Sequence, residues 1–266
     1  MNLKKISIIT LTKNNLNELI LTINSIIEQK INVLIELIIV DGSVNKKLLI
    51  QTLKSFEESF YQKNILLKYI NSFEKNIHGI YPSMNLAMDY LNSDYLIFMN
   101  SGDTFYDLNS LNLLFNNIET YKCDVCFGQS LITFKESSWL TPSKYVNNIK
   151  NWCKLFEPIH QSILVKTDLA VRIKYDEKSE IGADAKWKRE IINNNHFKYI
   201  PLPVSNFSLN GISNKISFKT LKIKIKEPSR RKLEKILEIL KFLFFKLGFF
   251  GPNTQKLKSF LIGIIF

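Results

Sequence analysis

The pattern of apolar and polar positions predicts that strands and helices alternate along this chain. Short runs of consecutive apolar residues that end in polar turns are typical of strands buried on both faces of a parallel sheet. Four runs rich in apolar residues occur in the first hundred residues, at 6–11, 36–40, 66–70 and 95–99, and the last of them is apolar throughout. Apolar residues at three- and four-residue spacing lie between the runs, which predicts amphipathic helices packed on the sheet. We therefore expect an α/β fold with a mostly parallel, doubly wound sheet.

The predicted helices of this first part cover residues 16–27 and 48–60, and a short one starts at Pro82 or Ser83. The pattern is looser after residue 103. There it predicts helices at 108–118 and 184–192, strands at 124–128, 131–134, 159–165 and 197–200, and a polar loop at 135–151. Pro201 and Pro203 are expected to end the last strand, because proline cannot donate to a ladder of backbone hydrogen bonds.

Carboxylates follow two of the predicted strands directly. Asp41 begins the turn Asp41-Gly42-Ser43, and Asp103 ends the turn Asn100-Ser101-Gly102-Asp103. Ligands of open α/β sheets bind at the carboxyl ends of the strands, so both acids are expected to face one crevice. The alternative for Asp103 is a loop carboxylate that caps the next helix.

The chemistry of these acids suggests a role for each of them. Mg²⁺-type ions take oxygen ligands, often one or two carboxylates together with substrate phosphates, which suits Asp103 on an open turn. Asp41 suits a hydroxyl-rich or amide group such as a ribose or a base. Asp184 opens a predicted helix and suits a general base, whose carboxylate must reach an acceptor hydroxyl.

Positive charge is concentrated at the C-terminal end of the chain. Residues 215–266 contain 13 Lys and Arg against 3 Glu, which accounts for +10 of the formal net charge of +12. A basic segment implies an anionic partner, either a membrane surface or a nucleic acid. We therefore divide the chain into a domain at 1–214 and a basic tail at 215–266.

The tail is also amphipathic. A helix predicted after Pro228 has apolar residues on one face and Lys and Arg on the other, a pattern typical of helices that lie in a membrane interface. The alternative is a basic helix packed on the body of the protein. Residues 260–266 are apolar and carry no charge, which favours an anionic membrane surface and argues against a nucleic-acid partner.

The cysteines and the N-terminus bear on the compartment. Cys123, Cys126 and Cys153 are few and include no second pair that would complete a zinc site, so we expect reduced core or strand thiols. The N-terminal apolar run is too short for a secretory signal, and no run of 18 apolar residues is present. We expect a cytoplasmic protein that is peripheral on the inner face of the cell membrane.

Five motifs in order resemble the inverting nucleotide-sugar glycosyltransferases of family 2, which have the GT-A fold. They are Leu37-Ile38-Ile39-Val40-Asp41-Gly42-Ser43, Gly79-Ile80-Tyr81 with Met84-Asn85, Phe98-Met99-Asn100-Ser101-Gly102-Asp103, Ile159-His160-Gln161-Ser162 and Ala183-Asp184. The resemblance covers about residues 4–212 and is nearest to the bacterial enzymes that build capsule, exopolysaccharide or lipopolysaccharide.

The resemblance implies roles for the matching positions. Nucleotide binding is implied for Thr12, Asp41 and Ser101, and substrate or acceptor contacts for Asn85, His160 and Gln161. Asp103 would bind a divalent cation, Mn²⁺ or Mg²⁺, on the donor diphosphate, and Asp184 would be the catalytic base. The partners implied are a nucleotide-sugar donor, with UDP the commonest carrier among such relatives, and a glycan or lipid-linked acceptor. A hydrogen-bonded structural histidine is the alternative for His160.

The chain departs from the family pattern at several positions. The Asp-x-Asp motif keeps only its final acid, Asp103, and acids expected around Gly-Ile-Tyr are replaced by Asn76 and by Pro82-Ser83. Ala185 and Lys186 follow Asp184, where relatives often have an aromatic residue and another acid. Because of these changes, a nucleotide-sugar-binding protein with impaired catalysis is an alternative function. The basic tail leaves nucleic-acid binding as a second alternative.

Overall fold

The computed structural model describes residues 3–134, 136–179, 181–209, 217–227 and 232–246. Within these ranges nine strands form one sheet with the order β3-β2-β1-β4-β8-β6-β9-β5, and β7 pairs with β6. The strands are β1 (Lys5–Thr12), β2 (Leu34–Asp41), β3 (Ile65–Asn71), β4 (Tyr95–Phe98), β5 (Thr104–Phe105), β6 (Val125–Phe134), β7 (Ser137–Thr141), β8 (Ile163–Lys166) and β9 (Phe197–Ser208).

Helices cover both faces of this sheet, which confirms the α/β expectation. They are α1 (Leu16–Ile27), α2 (Lys47–Ser55), α3 (Glu57–Gln62), α4 (Ile80–Met88), α5 (Ser110–Tyr121), α6 (Ile149–Leu155), α7 (Thr167–Arg172), α8 (Ala183–Asn193), α9 (Phe218–Lys226) and α10 (Lys232–Lys246). A 3₁₀ turn at His160–Ser162 precedes β8.

The sheet has two halves with different strand directions. The first half, β3-β2-β1-β4, is wholly parallel. In the second half β8 is antiparallel to both β4 and β6, whereas β6 and β9 are parallel. The carboxyl ends of the four parallel strands therefore lie at one edge, where ligands bind in sheets of this kind.

Neighbouring residues along the central strands point to opposite cores. Ile8 and Ile97 belong to the cluster under α1 and α5, whereas the adjacent Ile9 and Phe98 belong to the cluster under α4 and α8. Side chains alternate between the faces of a strand, so continuous apolar runs are required to fill two cores at once. This explains why the central strands lack polar alternation.

The structure corrects four sequence predictions in the second half. The predicted strands at 124–128 and 131–134 are one strand, β6, and the predicted loop at 135–151 contains β7 and the start of α6. The first part of the predicted strand at 159–165 is the 3₁₀ turn. The prediction that Pro201 and Pro203 end a strand was wrong, because β9 continues to Ser208.

The irregular pairing of β9 with β6 explains how the prolines are accommodated. The register between these strands shifts around Gln129, which pairs with Pro203. A Cβ on Gly128 would lie 2.7 Å from a methyl carbon of Val204, so only glycine allows this close approach of the two strands. Prolines are tolerated where a ladder is irregular, since no regular hydrogen bond is lost.

Candidate active site

The ends of β1, β2 and β3 bring Thr12 and Asp41 together. Thr12 is the register neighbour of Asp41, and Asp41 is the register neighbour of Asn71. The backbone N–H of Gly42 donates to the carbonyl oxygen of Thr12 at 2.9 Å, which joins the ends of β1 and β2. The Thr12 hydroxyl is buried and has no hydrogen-bond partner among the described residues.

The Asp41 carboxylate is fully buried at this edge and is held on both oxygens. Oδ1 accepts from the backbone N–H of Ser43 at 2.8 Å, and Oδ2 accepts from the Tyr69 hydroxyl at 3.0 Å. Burial, together with the nearby Asp41 charge, raises the pKa of Tyr69 to about 12, so Tyr69 stays a neutral donor at physiological pH. The arrangement fixes Asp41 against the strand ends.

The turn that carries Asp103 is tied to β1 and α1. The Ser101 N–H donates to the carbonyl oxygen of Leu11 at 3.1 Å, and the Thr22 hydroxyl donates to that of Asp103 at 2.8 Å. Gly102 has a φ of +94°, a left-handed conformation that glycine adopts without strain. Asp103 and Asp41 consequently lie at the same edge of the sheet, on either side of the end of β1.

The Asp103 carboxyl is buried and bonded to Gln161. The Gln161 Nε2 donates to Oδ2 of Asp103 at 2.6 Å, across 58 residues of sequence. Burial raises the pKa of Asp103 to about 8, although the bond from Gln161 lowers it. A buried carboxyl without a neighbouring cation favours its protonated form, whereas a bound cation would favour the carboxylate.

The oxygens around Asp103 fit a hard divalent cation in part. The Oε1 of Gln161 and the Oδ1 of Asn100 are buried and have no hydrogen-bond partner among the described residues. Amide and carboxylate oxygens are the ligands that such ions take. The described residues include no group of three or more His, Cys, Asp or Glu that could hold a metal ion, so most ligands would come from phosphate or water.

Asp184 lies in the first turn of α8, where the positive end of the helix dipole favours a carboxylate. Its Oδ1 accepts from the Tyr81 hydroxyl at 3.2 Å, and its Oδ2 accepts from Nζ of Lys188 at 3.0 Å. Lost hydration would raise the pKa of Asp184, but the Lys188 ammonium outweighs it and holds the pKa well below its usual range. The side chain stays 35% exposed, so an ionised carboxylate remains accessible.

His160 lies inside an aromatic cluster beside Asp184. Its ring stacks on Phe98 with centroids 4.4 Å apart, meets Trp187 edge to face, and bonds the Tyr175 hydroxyl through Nε2. Burial lowers the pKa of His160 to about 3, so the imidazole is neutral at physiological pH. This environment matches the alternative prediction that His160 is a hydrogen-bonded structural histidine.

The 3₁₀ turn connects the two sides of the site. His160 faces the aromatic cluster around Asp184, whereas the next residue, Gln161, faces Asp103. The 3₁₀ turn therefore lies between Asp103, the predicted ligand of the divalent ion, and Asp184, the predicted general base.

Asn85 contacts the segment of the chain that precedes α8. Its Nδ2 donates to the carbonyl oxygen of Tyr175 at 3.0 Å and to Glu177 at 2.8 Å, and its Oδ1 accepts from the Tyr175 N–H at 2.9 Å. The Asn85 amide is buried, and both of its polar atoms contact this segment. The side chain of Asn85, which was predicted to contact a substrate, thus bonds other residues of the protein.

Sequence reasoning missed several residues of the site: Tyr69, Asn71, Tyr81, Tyr175 and Lys188. Two of them carried a readable signal, because Tyr81 is part of Gly-Ile-Tyr and Lys188 stands four residues after Asp184, one helical turn away. Tyr175 had no local signal. It reaches the site through long-range contacts, which include the bonds between its backbone and Asn85.

Comparisons with known proteins identify the family and the fold of the chain. The model of the family "Glycosyl transferase family 2" matches residues 7–181, well over half of the chain. No curated protein matches the chain in a sequence search. Among solved structures, S. aureus TarS matches with a TM-score of 0.59 and 16% identity, over 90% of this chain and 43% of that one. The chain thus spans less than half the length of TarS.

Two further structures contain ligands. A 1–349 fragment of S. aureus TarS in complex with UDP-GlcNAc matches with a TM-score of 0.62 and 15% identity, over 90% of this chain and 71% of that one. A mannosyltransferase from Pyrobaculum calidifontis in complex with GDP-Man and Mn²⁺ matches with a TM-score of 0.57 and 12% identity, over 96% and 68%. At such identities the likeness establishes the fold, and the expected GT-A architecture is confirmed. From the family match over residues 7–181, we conclude that this chain belongs to glycosyltransferase family 2.

Proposed function

We propose that the protein is an inverting, divalent-cation-dependent glycosyltransferase that moves a sugar from a nucleoside diphosphate to a hydroxyl of a glycan or lipid-linked acceptor. Bacterial surface polysaccharide, such as capsule or lipopolysaccharide, is the product class that the sequence resemblance favours. The observation that carries the proposal is the placement of Asp103 and Asp184 on the two sides of one 3₁₀ turn. A nucleotide-sugar glycosyltransferase is also what family membership implies.

The donor side of the site would be formed by Thr12, Asp41 and Ser101 at the strand ends, with Asp103 below the diphosphate. The free Thr12 hydroxyl and the rigidly held Asp41 suit a nucleoside, whose base and ribose offer polar edges. UDP is the carrier that we expect first, and GDP is the alternative. A Mn²⁺ or Mg²⁺ ion at Asp103 would neutralise charge on the leaving diphosphate.

Asp184 would act as the general base on the opposite side. Its ionised carboxylate would take the proton of the acceptor hydroxyl while the hydroxyl oxygen bonds to the anomeric carbon. The bond from that carbon to the diphosphate oxygen breaks in the same step, and attack from the opposite face inverts the configuration. Asn85 and His160 would support the acceptor side through their contacts with the protein, whereas Gln161, which the sequence assigned to the acceptor, would support Asp103 on the donor side.

The direct test is a transfer assay with a panel of UDP- and GDP-sugars, with Mn²⁺, with Mg²⁺ and with chelator. We expect released nucleoside diphosphate that requires a divalent ion and is abolished by Asp103→Ala. Asp168→Ala is the matched control, because Asp168 is exposed on α7 away from the site. Nucleotide-sugar binding without transfer or donor hydrolysis would instead favour a binding protein. Full activity in chelator would reject the role of the ion.

We also propose that the tail holds the enzyme on the inner face of the membrane, where lipid-linked acceptors are found. Helix α10 exposes apolar side chains at the helical spacing of one face: Ile236, Ile239, Leu240 and Leu243. Helix α9 has exposed lysines. At the end of α9, Glu227 accepts a hydrogen bond from the Ser179 hydroxyl at 2.7 Å. A stripe of this kind beside lysines suits an anionic lipid surface.

No described helix is long and apolar enough to cross a membrane. Residues 228–231 and 247–266, which include the apolar run predicted at 260–266, lie outside the described residues. The test is flotation with vesicles of phosphatidylglycerol or of phosphatidylcholine. We expect flotation with the anionic vesicles, and its loss in Ile236→Glu/Leu240→Glu but not in Leu21→Glu, which changes an exposed residue of α1. Flotation that is unaffected by the tail variant would reject the anchor, as would binding to nucleic acid instead of lipid.

A further inference from the structure

Two side chains from different helices hold the Asp184 carboxylate. Tyr81 of α4 donates its hydroxyl to Oδ1, and Lys188 of α8 donates to Oδ2. The same Tyr81 oxygen accepts from the backbone N–H of Gly182 at 2.7 Å, so one side chain holds both the residue that caps α8 and the acid. We call Tyr81, Lys188 and the Asp184 carboxylate the Asp184 frame.

The burial of Lys188 is unusual for a lysine and suggests that its charge has a function. Only 7% of its surface is exposed, although lysine is among the residue types least often buried. An ion pair that includes a buried charge often stabilises a fold no more than apolar residues of equal volume would. The neighbouring Trp187 and Ile191 are apolar core residues of the same helix, so an apolar side chain would suit position 188. Stability of the fold alone therefore gives no reason for an ammonium group here.

Lys188 differs in charge from the other groups that face the carboxylate. These groups are Tyr81 of α4, Tyr175 of the segment before α8 and His160 of the 3₁₀ turn. Burial raises the pKa of both tyrosines well above their usual range and lowers the pKa of His160 to about 3. At physiological pH these three groups are neutral, whereas Lys188 forms an ion pair with the carboxylate.

We propose that Tyr81 and Lys188 are positioning residues for the transfer reaction. Lys188 keeps Asp184 ionised over the working pH range, and the two donors together fix the direction of its remaining lone pairs. A general base must be unprotonated before it accepts a proton, and it must be aimed at the hydroxyl. The inference rests on the proposed role of Asp184 as the base, because the frame has no function in transfer if another group takes the proton.

The first test replaces Lys188 with methionine, which keeps an unbranched apolar stem without the charge. We expect the acidic limb of the kcat/KM profile to move up by about 1–2 pH units, as found when a carboxylate loses a cationic partner. The KM for the donor should not change, since the donor side of the site is untouched. Lys188→Arg should restore most of the wild-type profile. Lys186→Met is the matched control, because Lys186 is an exposed lysine of the same helix.

The second test replaces Tyr81 with phenylalanine. We expect kcat to fall about tenfold with an unchanged KM for the donor, because the hydroxyl that holds Oδ1 and Gly182 is lost while the ring still packs. Tyr90→Phe is the control, since Tyr90 is a partly exposed tyrosine just after α4. A fall in kcat for Lys188→Met without movement of the acidic limb would overturn the proposal, and so would equal effects in Lys186→Met.

A measurement without turnover separates this inference from the proposed function. In protein labelled with ¹³C-aspartate, Asp184→Asn identifies the Asp184 signal. We expect Asp184 to stay ionised from about pH 4 upward in the wild type and to titrate above about pH 4 in Lys188→Met. An unchanged titration would refute the frame. A shifted titration in a protein with no transfer activity would instead refute the proposed function and leave the electrostatic part of the frame intact.

Discussion

The donor side and the base side of this site are built by different means. At the donor side, Thr12, Asp41 and Asn71 are register neighbours on three parallel strands, and backbone pairing alone brings them together. At the base side, Asp184 meets Tyr81 across 103 residues, and Asn85 meets Tyr175 across 90. The comparison teaches that sheet register specifies one half of the site, whereas individual long-range side-chain bonds specify the other.

Among the residues that support the acids without reacting themselves, Asn85 on the base side should have the largest effect on turnover when it is replaced by alanine. The change removes three hydrogen bonds and leaves the backbone of Tyr175 unsatisfied, which we expect to cost about 2–4 kcal/mol of stability. The segment before α8 would lose its anchor, so kcat should fall more than tenfold with little change in donor KM. Urea unfolding and steady-state kinetics measure both effects. Wild-type kcat in a folded variant would contradict the proposed dependence on this bond.

Gln161→Leu should have the next largest effect, because Gln161 connects Asp103 to the 3₁₀ turn beside the base. We expect turnover about tenfold lower and a weaker apparent affinity for the divalent ion, since the bond from Nε2 to Asp103 is lost. Kinetics at varied Mn²⁺ concentration measure the change. An unaltered Mn²⁺ dependence would indicate that Gln161 does not support Asp103.

Asn71→Ala is the matched change on the donor side, and its effect should be smaller. Asn71 is buried like Asn85, but its Nδ2 bonds the Ser43 carbonyl at 3.0 Å and reaches Asp41 only at 3.5 Å. The backbone ladder between β2 and β3 remains intact, so we expect a rise in donor KM of about three- to fivefold with unchanged kcat. A large loss of kcat here would remove the contrast between the two sides.

The smallest effect on turnover should come from Glu36→Gln, at the opposite edge of the sheet. Burial would raise the pKa of Glu36, but bonds from Lys68 and Ser7 hold it below its usual range. Its stabilising contribution is therefore present above the unfolded-state pKa of about 4.3 and is lost as pH falls through the lower folded-state value.

We thus expect the wild type to lose stability steeply below about pH 4.5 and Glu36→Gln to be less stable by about 2 kcal/mol at pH 7, with a flatter acid dependence. Thermal unfolding between pH 3 and 7 measures both curves, with activity at pH 7 as the control. Parallel curves for the two proteins would contradict this origin of the pH dependence.

The same contrast explains how much the sequence could predict. The apolar runs indicated β1 to β4 and α1, because periodicity is a local signal. The turn residues that follow two of these strands likewise indicated that Asp41 and Asp103 lie at one edge of the sheet. Helix α8, which begins at Ala183, was predicted for the same reason.

The rest of the fold and site depends on contacts that no local pattern contains. The continuation of β9 through Pro201 and Pro203 depends on the register shift opposite Gly128. Tyr175 bonds Asn85 across 90 residues, and Gln161 bonds Asp103 across 58 residues. These contacts join residues that are far apart in the chain, so sequence periodicity could not indicate them.

The most direct test of the central claim compares donor binding with turnover in Asp184→Asn. We expect calorimetry with UDP-sugar and Mn²⁺ to give a Kd like that of the wild type, whereas turnover falls by about 10²–10⁴-fold, the range attributed to general-base catalysis. Turnover within a few-fold of the wild type would show that the base lies elsewhere.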